Sequence, residues 1–104
     1  MLTSNKQVLE FGTIHNGDTV SETLTITNNY KVGVEVLSVG AGCGCTTPTV
    51  PKGIIPSGES IPMDISFNSS GKPGMNNKSV WINYRLVDNP DLVQFIQRFS
   101  AFVI

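Results

Sequence analysis

The sequence predicts an all-β chain: a sandwich of seven to eight antiparallel strands, built as a single domain over residues 1–104. Three observations carry this expectation. Apolar and polar residues alternate with period two through residues 20–28, 61–67 and 80–86, the pattern of strands with one face in a core and the other in water. Turn signals built from Gly, Pro and Asn recur about every ten residues, as between the short strands of a sandwich. The chain length, 104 residues, is near the common size of a single domain and suffices for one core.

Taken in order, residues 7–11 read as a first strand that stops at Gly12, and Asn16-Gly17 marks a tight turn. Residues 20–28 follow as a strand with Val20, Leu24 and Ile26 on the core face, Thr19, Ser21, Thr23, Thr25 and Thr27 on the other, and Glu22 alone breaking the apolar side. Val32, Val34 and Val36 continue the pattern until Leu37 and Val39 switch parity, which predicts a bulge within residues 35–38. Pro48, Pro51 and Pro56 cannot donate to a ladder, so residues 46–56 are expected at an edge or in a loop, with a short strand at 53–55. Ile61, Met63, Ile65 and Phe67 alternate next, with Pro62 confined to an edge or to an unpaired side. Residues 68–77 are rich in Gly, Ser, Pro and Asn and read as a long loop, a candidate contact surface.

Val80, Ile82 and Tyr84 define another core face, and Trp81 falls on the opposite parity. Residues 92–104 admit two readings. Helical spacing links Leu92, Phe95, Ile96, Phe99 and Val103, but every other element is β, so a strand is expected. Such a strand is apolar on both faces, with Val93, Phe95, Phe99, Ala101 and Val103 on one and Leu92, Ile96, Phe102 and Ile104 on the other. The predicted core comprises Leu24, Ile26, Val34, Ile65, Phe67, Ile82 and Tyr84.

Net charge is −1 and charged residues make up only 14% of the chain. No basic patch gathers phosphates, so nucleic acid is not an expected partner. No run of about eighteen apolar residues is present, so membrane insertion is not expected.

The chemically distinctive stretch is Gly40-Ala41-Gly42-Cys43-Gly44-Cys45-Thr46, which holds both cysteines. A Cys-X-Cys pair suits a soft metal or a redox dithiol. Zinc wants four ligands, and His15 is the best further candidate, so Cys43, Cys45 and His15 form a set too small for a metal centre. A Cys43–Cys45 disulfide is awkward if the segment is extended, because residues i and i+2 then lie near the 7 Å limit for bridged Cα atoms. The favoured reading is two small polarizable side chains at a strand end. His15 is expected to be an exposed loop residue, and nothing in the sequence supplies a nucleophile for it. No catalytic residue, cofactor or resident metal is expected, and the chain is read as non-enzymatic.

With these elements placed, the chain resembles a bacterial, Bacteroidetes-type immunoglobulin-like family of uncharacterised function with a Cys-Gly-Cys motif, related to the Hydin-type and major-sperm-protein-like sandwiches. The matching residues are Phe11-Gly12-Thr13-Ile14 with Gly17-Asp18-Thr19, Leu24-Thr25-Ile26-Thr27-Asn28, Cys43-Gly44-Cys45-Thr46, Ile55-Pro56-Ser57-Gly58-Glu59 and Ile65-Ser66-Phe67. They continue with Asn77-Lys78-Ser79 and Asn89-Pro90. The resemblance implies an immunoglobulin-like sandwich with no known catalytic activity. Domains of that kind usually follow a secretion signal, and the sequence shows none: either a signal has been removed and the chain is periplasmic or extracellular, or it works where it is made, in the host cytoplasm or the virion, and the second is expected.

These readings converge on a structural or adhesive module that docks on other protein chains of a larger assembly, with an auxiliary or decoration protein of a bacteriophage virion as the specific form. A homo-oligomer is compatible with it. The expected contact residues are Leu92, Ile96, Phe102, Ile104 and Trp81. The alternative is a periplasmic or extracellular thiol module that uses Cys43 and Cys45 for copper or redox handling.

Overall fold

The computed structural model describes residues 1–104. Nine strands run β1 (Leu2–Ser4), β2 (Val8–Ile14), β3 (Thr19–Asn28), β4 (Val34–Ala41), β5 (Thr46–Thr49), β6 (Gly53–Ile55), β7 (Ser60–Asn68), β8 (Gly74–Leu86) and β9 (Val93–Val103). They form a four-stranded sheet of order β1-β3-β7-β5 and a five-stranded sheet of order β2-β9-β8-β4-β6. The immunoglobulin-like sandwich expected from the sequence is thus present, with nine strands in place of seven to eight. One pair, β2 with β9, is parallel.

The expected parities hold. Leu24, Ile26, Val34, Ile65, Phe67, Ile82 and Tyr84 are all buried. The C-terminal segment is a strand, and Phe99, Ala101 and Val103 point from it into the core. Phe99 sits between the sheets' aromatic side chains, its ring 5.7 Å from Phe11 and 5.5 Å from Phe67. The parity switch in β4 is a register shift between Val36 and Ser38 that leaves Leu37 exposed. Pro62 pairs with Thr25 of β3, while β5 reaches only Asp64 to Phe67 of β7, so the proline's missing N–H falls on the unpaired side.

Two segments differ from expectation. The first strand of the chain is the short Leu2–Ser4, and the next runs past Gly12 to Ile14. Gly12 takes φ 77° at the register shift between Glu10 and Thr13, so it bends the strand without ending it. The loop expected at 68–77 is shorter, because β8 begins at Gly74. Its root is also fixed: Ser69 is buried and its hydroxyl lies 2.9 Å from the His15 carbonyl and 2.7 Å from that of Asp18.

Buried polar side chains join the layers. Asn28 on β3 donates through Nδ2 to the carbonyls of Val32 (3.0 Å) and Ile55 (2.9 Å), and its Oδ1 accepts from the Tyr30 amide (2.9 Å). Gln97 on β9 donates to the Lys6 carbonyl at 3.1 Å. The Tyr30 and Tyr84 hydroxyls meet at 2.9 Å. Burial, then the Tyr30 hydroxyl, push the Tyr84 phenol well above its ordinary range. The fold therefore favours the neutral phenol. That contribution is complete below about pH 10, where an unfolded tyrosine ionises, and is lost as pH rises further. We expect the denaturation midpoint to fall above pH 10 and the Tyr84→Phe variant to lose part of that fall, measured by urea titration at pH 8 and pH 11.

Candidate functional site

The outer faces of the two sheets differ in chemistry. On the four-stranded sheet, β3 presents Thr19, Ser21, Thr23, Thr25 and Thr27, and β7 presents Ser60, Pro62, Asp64 and Ser66 opposite them. These side chains satisfy one another: the Thr23 hydroxyl donates to Asp64, and Thr27 and Ser60 share a hydrogen bond of 2.7 Å. Such a face is at home in water.

The outer face of the five-stranded sheet carries large apolar side chains. Ile96 of β9 is 56% exposed and Phe102 is 42% exposed. Trp81 of β8 pairs across to Ile96 on one side and to Gly40 of β4 on the other. Its indole lies on Gly40, where an added Cβ would come within 2.7 Å of Cε2 and closer still to Nε1. Gly40 is therefore what allows the ring to lie flat on the sheet. Met75 pairs with Phe102 further along, and Val8 and Ile54 add exposed apolar groups on β2 and β6. Ser79 and Arg98, then Asn77 and Ser100, separate Trp81 and Ile96 from Met75 and Phe102, and other polar side chains of the face are engaged on the sheet itself. Asn83 bonds Ser38 at 3.0 Å and accepts from Gln94 at 3.1 Å, while Arg85 meets Glu35 at 2.6 Å.

Of the expected contact residues, the structure brings Trp81 and Ile96 together and leaves Phe102 about 20 Å along β9, at roughly 3.3 Å per residue. Leu92 (67% exposed) precedes β9 and Ile104 (58% exposed) follows it, so these two flank the face at its ends. Sequence reasoning missed Met75, which it had placed in a loop, and Val8 and Ile54, to which it gave no face.

The glycine-cysteine segment corrects an expectation. Cys43 and Cys45 are bridged, with Cα atoms 5.3 Å apart, and no cysteine is free. The segment is not extended: β4 ends at Ala41, and the Thr46 amide reaches back to the Cys43 carbonyl at 3.4 Å to close a turn. That turn draws residues i and i+2 inside the bridging limit. The Thr46 hydroxyl lies 3.7 Å from the Cys43 sulfur and 3.6 Å from that of Cys45. A pocket of about 230 Å³ opens beside the bridge, lined by Gly42, Cys43, Thr46, Asn77, Lys78, Ser79 and Trp81. His15 is exposed as expected, its Nδ1 3.8 Å from Asp18. No three His, Cys, Asp or Glu side chains stand together as a metal site would need.

The family model described as "Protein of unknown function (DUF1573)" matches residues 2–97. Among solved structures, the chain is similar to the human CEP192 ASH/PapD-like domain (PapD-like domain 7), with TM-score 0.79 and 13% identity over 99% of this chain and 84% of that one. It is also similar to a protein of unknown function from Porphyromonas gingivalis W83, with TM-score 0.71 and 16% identity over 94% of this chain. A third likeness is to the VesB protease of Vibrio cholerae, with TM-score 0.77 and 14% identity over 97% of this chain. The chain spans 45% of the Porphyromonas protein and 31% of the protease, so it corresponds to a part of each. At these identities the likenesses establish the fold: an ASH/PapD-like, immunoglobulin-like sandwich. No protein with a curated description matches the chain.

Proposed function

We propose a role for this chain, which belongs to the DUF1573 family of proteins of unknown function: it is a non-enzymatic immunoglobulin-like module that docks on another protein chain of a larger assembly. The docking surface is the outer face of the five-stranded sheet, centred on Trp81 and Ile96 and extended by Phe102 and Met75. The observation that carries this reading is the contrast between the two outer faces. One is a lattice of hydroxyls, whereas the other leaves Met75, Ile96 and Phe102 uncovered on the adjacent strands β8 and β9, and Ile54 on the edge strand β6. Scattered apolar side chains are ordinary on a protein surface, but a run of them across one sheet marks an interaction face. Trp81 supports it further, since a flat aromatic ring with its side chain fixed on a sheet is the kind of anchor that concentrates binding energy.

Long-range charge has little part in this, because the whole chain carries −1, and on the face Arg85 is matched by Glu35 while Arg98 beside Ile96 is a single cation. The partner is therefore a protein with an apolar surface. A bacteriophage virion, with this chain as an auxiliary or decoration protein, is the specific assembly we favour. The support for it is a domain with one apolar, uncovered sheet face.

The Ile96→Lys, Phe102→Lys double variant tests the docking face. Both side chains are solvent-exposed, so we expect the thermal midpoint to stay within a few degrees of the parent. Incorporation of the chain into high-molecular-weight assemblies of the cell that makes it should fall at least tenfold, the effect of about 1.4 kcal/mol of lost binding. Unchanged incorporation would reject this face as the docking surface.

A further inference from the structure

The bridge between Cys43 and Cys45 is poorly placed to act as a staple. It spans a sequence separation of 2, and the stabilisation from closing a loop grows with loop length. The flanking chain is held independently: the Asn68 amide donates to the Cys45 carbonyl at 2.8 Å, and the turn closes on the Cys43 carbonyl. What the site has instead is access. Gly42 and Gly44 are both exposed, and a Cβ at either would meet nothing within 4 Å, so the chain flanking Cys43 stands open to solvent.

The two sulfurs are not equivalent. Cys43 lines the open pocket, whereas Cys45 packs against the hydrophobic core. Lys78 is the one charged side chain lining that pocket, and the Thr46 hydroxyl stands within reach of both sulfurs. A cation and a hydroxyl donor beside a sulfur favour its thiolate, the form that attacks and leaves in exchange.

We propose that the Cys43–Cys45 bridge is a reversible thiol–disulfide exchange site for a small aliphatic thiol entering the pocket beside Lys78 and Trp81. A thiolate RS⁻ attacks the Cys43 sulfur. The Cys43–Cys45 bond breaks, its electron pair departs on the Cys45 sulfur, where Thr46 can donate a hydrogen bond, and Cys43 is left in a mixed disulfide with R. A second thiolate attacks the R sulfur, which releases the Cys43 thiolate and the product RSSR. Two thiols are thereby oxidised to one disulfide, and the bridge takes up two electrons and, on protonation of both sulfurs, two protons. This activity does not depend on the docking role, because the reacting thiol needs only the isolated domain.

The test uses the whole purified chain in mixtures of reduced and oxidised glutathione, followed by mass after alkylation and by the emission of Trp81, the single tryptophan. The expected result is one reversible two-electron transition in the folded protein, with Trp81 emission following it. Iodoacetamide should label Cys43 of the reduced protein before Cys45, with a pH midpoint below the value of about 8.5 for a free thiol. Lys78→Met and Thr46→Val should each move that midpoint upward, by about one pH unit for the lysine, and Thr46→Ser, which keeps the hydroxyl, should restore it. A bridge that native protein keeps in excess reduced glutathione would overturn the proposal. So would a Cys43 midpoint at or above that of a free thiol, or one that neither Lys78→Met nor Thr46→Val moves.

Discussion

Phe99→Ala is expected to destabilise the domain by about 3–5 kcal/mol. The ring is 1% exposed and is wedged between Phe11 of its own sheet and Phe67 of the other, at centroid distances of 5.7 and 5.5 Å. Truncation removes its apolar burial and leaves a void lined by rings that belong to different layers. Phe67 is held in the β3–β7 ladder and Phe99 in the β8–β9 ladder, so the cavity closes only in part by a local shift. Domains of this size are stable by about 5–15 kcal/mol, so the variant should lose a large share of its stability. The check is the urea midpoint at constant slope, and a midpoint shift below the equivalent of about 1 kcal/mol would show that this ring is not central to the core.

The second large effect is expected at Asn28. Its carboxamide is fully buried at the end of β3 and reaches the carbonyls of Val32 and Ile55 and the amide of Tyr30. Ile55 lies on β6 of the opposite sheet, so this one side chain ties the two layers and fixes the turn between β3 and β4. Asn28→Leu preserves volume but strands three backbone groups. Each buried group left without a partner costs about 1–3 kcal/mol, so we expect a total loss of roughly 2–4 kcal/mol after partial rescue by water. Amide exchange reads the mechanism directly. The Tyr30 amide should lose protection in Asn28→Leu, while amides in the β8 and β9 ladder keep theirs relative to the new global stability. Equal protection at Tyr30 would mean that the turn is held by something else.

The strands that sit half-buried were legible in the sequence because alternation is a direct record of burial. Leu24 and Ile26, Ile65 and Phe67, and Ile82 and Tyr84 show it, and all are buried. The double apolar parity of β9 was equally visible in the sequence: the Phe99 side lies in the core, and the Ile96 side, expected to meet another chain, is exposed in this domain. Other features leave no such record. Leu2–Ser4 is too short to show a period. The parallel pairing of β2 with β9 joins segments from opposite ends of the chain, and neither strand's own residues encode the neighbour. Met75 was hidden because the glycines and proline at positions 71–74 read as loop, although β8 starts at Gly74. The Cys43–Cys45 bridge depended on a turn whose closing hydrogen bond, Thr46 amide to Cys43 carbonyl, has no signature in residue type. The interaction of Trp81 with Gly40 required cross-strand register, which a bulge in β4 shifts by one residue.

Site-specific photo-cross-linking in the cell that makes the protein reads directly which sheet face docks. A benzophenone side chain is placed at Ile96 on the five-stranded sheet or at Thr25 on the four-stranded sheet, both exposed outer-face positions. Docking through the five-stranded sheet gives a discrete cross-linked protein species from position 96 and none from position 25. Cross-links of equal yield from both positions, or from position 25 alone, would contradict it.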